Sequence, residues 1–354
     1  MAWIDRTAIA PGTFSMLRVN MGVRPGERVL VVTDVPTPEQ WGQIGSDQVE
    51  AMLRRAYLAR LVADLAREHL PGGKVRFLTF PSTGRSGVEP PEEAAQAMAE
   101  ADVVLAITSF SLSHTEAREE ACRRGARVAS MPRFLPEMLY PDGPMAVDYE
   151  RVAFSTRALA GLITAASKVR VTTPAGTDVE FSVEGRDGRS DDGMYTARGS
   201  WGNLPAGEAY CAPLEDTAHG LLVVEPGWHA GLVEPMTIHF ERGEVTALEG
   251  GGGVGSEISE ILDLACRGDD AQPRRTLAEL GIGTNPNARR TDITVEAEKI
   301  KGTVHLAVGD GSHMGGTVVA DYHQDFVLPR PDLWFDGEMV IAGGRWIAPG
   351  LSKE

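Results

Sequence analysis

Cysteine is scarce in this chain, and what there is does not pair. Cys122, Cys211 and Cys266 are odd in number and widely spaced, with no CxxC among them. That excludes a disulfide framework and a thiolate zinc site, and leaves reduced, partly buried thiols as the expectation. Positive charge is also short. The 34 lysines and arginines face 50 acids, a formal net charge of −16. Such a surface is unsuited to non-specific nucleic-acid binding and to docking on anionic lipid. No apolar run reaches the length of about 18 residues that a membrane span needs. The first residues, Met1-Ala2-Trp3-Ile4-Asp5-Arg6, lack the basic-then-apolar pattern of a signal peptide. The expectation is a cytoplasmic enzyme or binding protein.

What the chain has is length and an ordinary hydrophobic share. Its 354 residues and 42% hydrophobic content suit two domains with substantial cores. The first part alternates strand and helix: strands over 27–34, 74–80, 103–107 and 126–131, helices over 48–68, 91–101 and 115–124. That order predicts a parallel sheet with helices on its faces and right-handed crossovers. The pattern changes near Lys168. Residues 168–173 and 177–183 flank Pro174-Ala175-Gly176 as a hairpin, and strands and glycines dominate thereafter. The predicted fold is therefore an α/β N-terminal domain with a parallel sheet, residues 1–167, and an α+β C-terminal metal-binding domain rich in antiparallel strands, residues 168–354. Gly250 to Gly255 lacks the Gly-Lys-Ser/Thr ending of a phosphate loop. It reads as a flexible turn before a helix over 257–266.

Chemistry concentrates in two short apolar runs, Gly302 to Gly309 and Tyr322 to Leu328. Strand side chains alternate, so His323 and Asp325 project from one face. A strand core excludes ionisable groups unless something pairs with them, and a divalent metal is the simplest partner. Glu208, Glu279 and His305 are further candidates. Carboxylate plus imidazole, without thiolate, suits zinc, manganese, cobalt or iron. A lone histidine in a strand is more often a satisfied core residue, so the His-x-Asp pair carries more weight than His305 alone. Asp321 reads as solvated and His313 as a loop residue at a pocket rim. His69, His219, His229 and His239 have no matching neighbours and read as surface or packing residues.

Four ordered motifs, NLPAGE (203–208), LAELGIGTN (277–285), GTVHLAVG (302–309) and HQD (323–325), resemble the thermophilic metalloaminopeptidases of the aminopeptidase T and aminopeptidase S family. The stretch Thr108 to Thr115 resembles the close of a strand and the opening of a helix in their N-terminal domain. The resemblance implies a two-metal site, with Glu208 and Glu279 in bridging positions and His305, His323 and Asp325 as terminal ligands. It also implies a homodimer, with the N-terminal domain leaning over the metal pocket. Ser312 stands where that family often has a tyrosine ligand, and Gly207 where it commonly has an extra acid.

The chain also resembles, more distantly, the 2,5-dihydroxypyridine dioxygenases, whose single iron is held by two histidines and one aspartate. His323 and Asp325 match that set. Glu279 stands where the resemblance implies a histidine, and His114 where it implies a pocket histidine. Unless His305 joins, the set becomes one histidine with two carboxylates, which points away from dioxygen chemistry, since that prefers two histidines and one carboxylate. The expectation is thus a metallohydrolase, an aminopeptidase acting on short peptides or other amino-acid-derived substrates through a metal-activated water. In it Glu208 and His114 are the candidate catalytic residues: a glutamate near the metal doubles as general base, with no single one singled out, and His114 is a substrate or oxyanion contact. A mononuclear iron ring-cleaving dioxygenase, a biosynthetic enzyme on the same scaffold and a plain binding protein are the alternatives.

Overall fold

The computed structural model describes residues 3–70, 72–265 and 273–351, and these divide into two compact units, Met1–Tyr149 with Gly193–Ala206, and Glu150–Asp192 with Gly207–Glu354. The first is built on a five-stranded parallel sheet. Its strands run, side by side, Lys74–Pro81, Arg28–Val35, Val103–Thr108, Arg127–Pro132 and Trp201–Asn203. Val103–Thr108 is buried along its whole length, as a central strand of a parallel sheet must be. Val32 lies opposite both Leu78 and Ala106. Its layer meets Ala94, Ala97, Met98, Ala117 and Ala121 from the helices Glu92–Glu100 and Glu116–Arg123. Thr115 caps the second of these helices: its hydroxyl oxygen accepts from the Arg118 backbone N–H at 3.2 Å.

The alternation read from the sequence is present, with helix Ser46–His69 over the expected 48–68 span. The fifth strand, Trp201–Asn203, was not foreseen. Three residues, one of them Gly202, give no alternation to read. Gly202 is required there because a Cβ would meet the Tyr195 hydroxyl at 2.3 Å.

The second unit contains two antiparallel sheets. One has eight strands in the order Glu244–Gly250, Met236–Glu241, His219–Val224, Asp178–Ser182, Lys168–Thr172, Asp332–Phe335, Glu338–Ala342 and Arg345–Trp346. The other has five: His323–Leu328, Val304–Gly309, Leu277–Gly283, Glu208–Cys211 and Arg189–Asp191. A single apolar core takes Val171, Phe181, Leu222 and Ile238 from the first sheet and Leu280, Ile282, Val304, Leu306, Val308 and Phe326 from the second. The hairpin around Pro174-Ala175-Gly176 is present, with Thr172 opposite Asp178.

Two expectations change. The domain boundary expected at Lys168 falls inside the second unit, because helix Tyr149–Ala165 places Leu159 and Ile163 in that unit's core. The glycine stretch is not a turn ahead of a helix; the helix Gly252–Ile261 starts within it. Gly251 takes φ 75° at the cap, and a Cβ on Gly255 would strike the Gly250 carbonyl oxygen at 2.1 Å. Residue 266, where that helix was expected to end, lies outside the described residues. Among the described residues no helix is long and apolar enough to cross a membrane.

Leu306 is fully buried beneath the five-stranded sheet. Leu306→Ala is expected to cost about 2–5 kcal/mol in urea unfolding monitored by circular dichroism. An unchanged midpoint would show that this layer does not carry the unit's stability.

Candidate metal centre

The five-stranded sheet has one face in the core and one face that is chemical. Val304, Leu306 and Val308 point into the core, so His305, Ala307 and Gly309 point the other way. Directly opposed residues of antiparallel strands share a face. Asp191 lies opposite Glu208, Glu208 opposite Gly283, and Gly281 opposite His305. Glu279 lies opposite Ala307, Ala307 opposite Asp325, and Gly309 opposite His323. All five expected ligands, Glu208, Glu279, His305, His323 and Asp325, are thereby brought to one face of one sheet.

Small residues make the convergence possible. A Cβ on Gly281 would stand 2.0 Å from His305 Nε2, and one on Gly283 would stand 2.1 Å from the Ile300 carbonyl oxygen. The His305 ring therefore lies across the strand that carries Glu279. His305 Nε2 is 2.9 Å from Glu208 Oε1 and 3.6 Å from Glu279 Oε1. On the other side, His323 Nε2 is 3.2 Å from Glu279 Oε2 and 3.3 Å from Asp325 Oδ1. Glu279 thus presents one carboxylate oxygen to each imidazole. Two sets of donor atoms close to within 4.8 Å: Glu208, Glu279 and His305, and Glu279, His323 and Asp325. Glu208, Glu279 and His305 are buried, while 32% of the His323 side chain is exposed at the open edge.

The electrostatics are those of carboxylates and imidazoles held in close mutual contact. Burial acts to raise the Glu279 carboxyl, but hydrogen bonds and charge from His305 and His323 hold it down at about 2. Burial opposes protonation of His323, yet Asp325 and Glu279 lift it well above the usual imidazole range. His305 is raised in the same way against its burial, chiefly by Glu279. His323 Nδ1 donates to the Asp310 carbonyl at 2.9 Å, which orients the ring and presents Nε2 to the site. The Ser312 hydroxyl donates to Asp310 Oδ1 at 2.9 Å, so it steadies the loop that anchors His323.

Three charged groups of this face were missed by reading the sequence: Asp191, Glu298 and Lys299. Lys299 donates to Glu208 Oε2, lies 3.0 Å from Glu298 Oε1 and 3.5 Å from Asp191 Oδ2, and is buried. Nothing local distinguishes Glu-Ala-Glu-Lys from a solvated polar turn, and Ser-Asp-Asp-Gly reads as a loop. Only the register of Asp191 opposite Glu208 reveals the first of them.

The remaining histidines lie elsewhere. His69 stacks on Phe14 and His229 on Phe326, with ring centroids 4.2 and 6.0 Å apart. His219 and His239 lie 3.7 and 3.4 Å from Glu180 and Glu249. His313 is 3.8 Å from Asp310, and Asp321 pairs with Arg274. His114 belongs to the first unit, exposed just before the Thr115 cap and edge-on to Trp201 at 6.2 Å. Cys122 and Cys211 are free thiols, and burial pushes Cys211 up to about 12; Cys266 lies outside the described residues.

An α/β unit and an antiparallel unit, with clustered carboxylates and imidazoles on one sheet face of the second, define a two-unit scaffold with a candidate metal face. Residues 14–348 match the family model of the 2,5-dihydroxypyridine 5,6-dioxygenases. The chain belongs to that family. It is 24% identical to the 2,5-dihydroxypyridine 5,6-dioxygenase of Pseudomonas putida over 277 residues, 73% of this chain and 75% of that protein. The solved structure of the 2,5-dihydroxypyridine dioxygenase of Pseudomonas putida KT2440 superposes with a TM-score of 0.75 at 19% identity, over 99% of this chain and 100% of that one. AmpT from Thermus thermophilus superposes with a TM-score of 0.63 at 14% identity, over 97% of this chain and 100% of that one.

Family membership overturns the expectation of a metallohydrolase, and with it the aminopeptidase and protease readings. The physical reason lies in the scaffold. AmpT and the dioxygenase share this fold, so motif order along the chain reports the architecture and not the reaction. The resemblance to the dioxygenases, ranked second from the sequence, is the one the family match supports.

Two outcomes test the centre. Glu279→Ala and His323→Ala are each expected to fold and to bind divalent cations on the order of a hundredfold more weakly in equilibrium dialysis; native affinity in both would remove them as ligands. Because His323 holds its proton above the usual range, a cation must displace that proton. Affinity is therefore expected to climb as pH rises through neutrality, and a flat titration would contradict it.

Proposed function

We propose that the chain is an iron-dependent dioxygenase that opens the ring of a small hydroxylated nitrogen heteroaromatic, 2,5-dihydroxypyridine or a close analogue. The observation that carries this reading is the family match over residues 14–348. The donor chemistry of the sheet face supports it. Glu279, His323 and Asp325 offer three donors within 4.8 Å at the more open edge, a carboxylate and imidazole set compatible with iron.

Iron bound there would supply the activation of dioxygen that the protein's own side chains cannot. The protein's part is to hold, orient and carry protons. Asp310 fixes the His323 ring through Nδ1. Glu279 stands between the two imidazoles, 3.6 Å from His305 Nε2 and 3.2 Å from His323 Nε2, and so sets their spacing. Glu208 Oε1 and His305 Nε2, 2.9 Å apart and buried, form a hydrogen-bonded pair that can store the proton a ring hydroxyl gives up. In this reading Glu208 has a part in proton handling. Two imidazoles facing one carboxylate also supply the residue types of the two-histidine, one-carboxylate pattern, with Asp325 as a further acid.

The test is an aerobic assay. Protein loaded with ferrous iron is expected to bleach the ring absorbance of 2,5-dihydroxypyridine and to take up one dioxygen per ring opened. An intact ring and no oxygen uptake by metal-loaded protein, across a panel of dihydroxylated pyridines, would refute the proposal.

A further inference from the structure

We propose that Lys299 occupies the place of a second cation in this centre, so that each chain takes a single divalent ion at Glu279, His323 and Asp325 while Glu208 is held by the lysine ammonium. The inference rests on the proposed function for where the ion sits, and adds why there is one.

The two donor sets share Glu279, whose oxygens face opposite ways, Oε1 toward His305 and Oε2 toward His323. A carboxylate so placed could bridge two ions. The sets are not equivalent, however. At the His323 side no fixed cation among the described residues stands with the donors, and the edge is open: 32% of the His323 side chain and 14% of the Asp325 side chain are exposed. At the His305 side both oxygens of Glu208 are already engaged, Oε2 by Lys299 Nζ and Oε1 by His305 Nε2.

Lys299 is tied down at its head and along its backbone. Its ammonium has three N–H donors and three carboxylates around it, Glu208, Glu298 and Asp191. Only 2% of its side chain is exposed. Its backbone N–H donates to the Glu296 carbonyl at 3.1 Å, and its own carbonyl accepts from Asn285 at 2.9 Å. A paired, buried ammonium of this kind does not swing aside, because leaving would withdraw its positive charge from three acids at once. A dication brought to Glu208 would lie beside this fixed positive charge in a medium that screens it poorly. The ammonium therefore supplies positive charge to the Glu208 side and closes it to metal.

Metal counts on the intact chain decide this, read by elemental analysis after equilibrium dialysis against manganese or zinc. The native protein is expected to hold one ion. Lys299→Arg keeps the cation and should also hold one, whereas Lys299→Met should admit a second. Glu208→Gln should keep its single ion with affinity within about tenfold of native, unlike the loss expected when a ligand is removed. Two ions in the native chain, one ion in a folded Lys299→Met chain, or loss of the ion in Glu208→Gln would each overturn the proposal. If Lys299→Met does not fold, the native count and the Glu208→Gln affinity still decide. A native chain that holds one ion yet opens no ring would sink the proposed function and leave this inference standing.

Discussion

Five acidic side chains crowd one largely buried face of one sheet and its border, and the rest of the second unit is arranged around that constraint. Buried Asp191, Glu208 and Glu279 and half-buried Glu298 and Asp325 stand, among the described residues, beside two imidazoles and one ammonium. Buried anions without partners cost several kcal/mol each even after relaxation. The face can exist only if cations stand among them. Lys299 is one, built into the chain. Protons on the imidazoles are a second source, which is why His305 and His323 hold theirs more firmly than usual. A divalent ion replaces those protons with a more concentrated charge.

Holding such a face open requires a rigid support and a thin covering. The support is the core on the other side of the same strands. Each strand gives alternate residues to it, so Leu280, Ile282, Val304 and Leu306 fix the heights of the neighbouring ligand positions. The covering is thin because the positions between ligands are Gly281, Gly283, Ala307 and Gly309. A side chain at Gly281 would occupy the space of the His305 ring. The spacing Glu279-Leu280-Gly281-Ile282-Gly283 therefore encodes a donor, a clearance for its neighbour's ring and two core anchors in five residues.

Much of this was legible in the sequence, for reasons that also explain what was not. The parallel order of the first unit was readable because its central strands are continuous apolar runs between helical stretches. His323 and Asp325 could be paired because they are two apart on a strand, and period two is unambiguous over short spans. Glu208, Glu279 and His305 came from ordered motifs, since their convergence depends on strand registers that no local pattern specifies. Lys299, Glu298 and Asp191 were invisible for the same reason without a motif to compensate. Each sits in polar sequence where solvent exposure is the ordinary outcome, and only the fold buries it. The domain boundary slipped because helix Tyr149–Ala165 looks like a continuation of the α/β alternation, although its Leu159 and Ile163 pack into the second unit.

The reaction was the least legible feature, and the cause is chemical. Families with different chemistry share the fold, so the discriminating information is confined to a few side chains. Position 279 is the sharpest. A glutamate there, in place of the histidine implied by the resemblance to the dioxygenases, adds a negative charge to a face already rich in them. It also lowers the imidazole count of the set at the open edge to one. Charge added at one point of a buried network has to be answered nearby, because low-dielectric surroundings do not screen it. Two answers stand within reach: the His305 imidazole on the far oxygen of Glu279, and the Lys299 ammonium one carboxylate further on. The first returns a second imidazole to the neighbourhood of the ion, and the second removes Glu208 from competition for it. A glutamate at 279 is therefore compatible with oxygenase chemistry to the extent that those two groups act together, and the reactivity of the centre is a property of this linked set of side chains more than of any ligand within it.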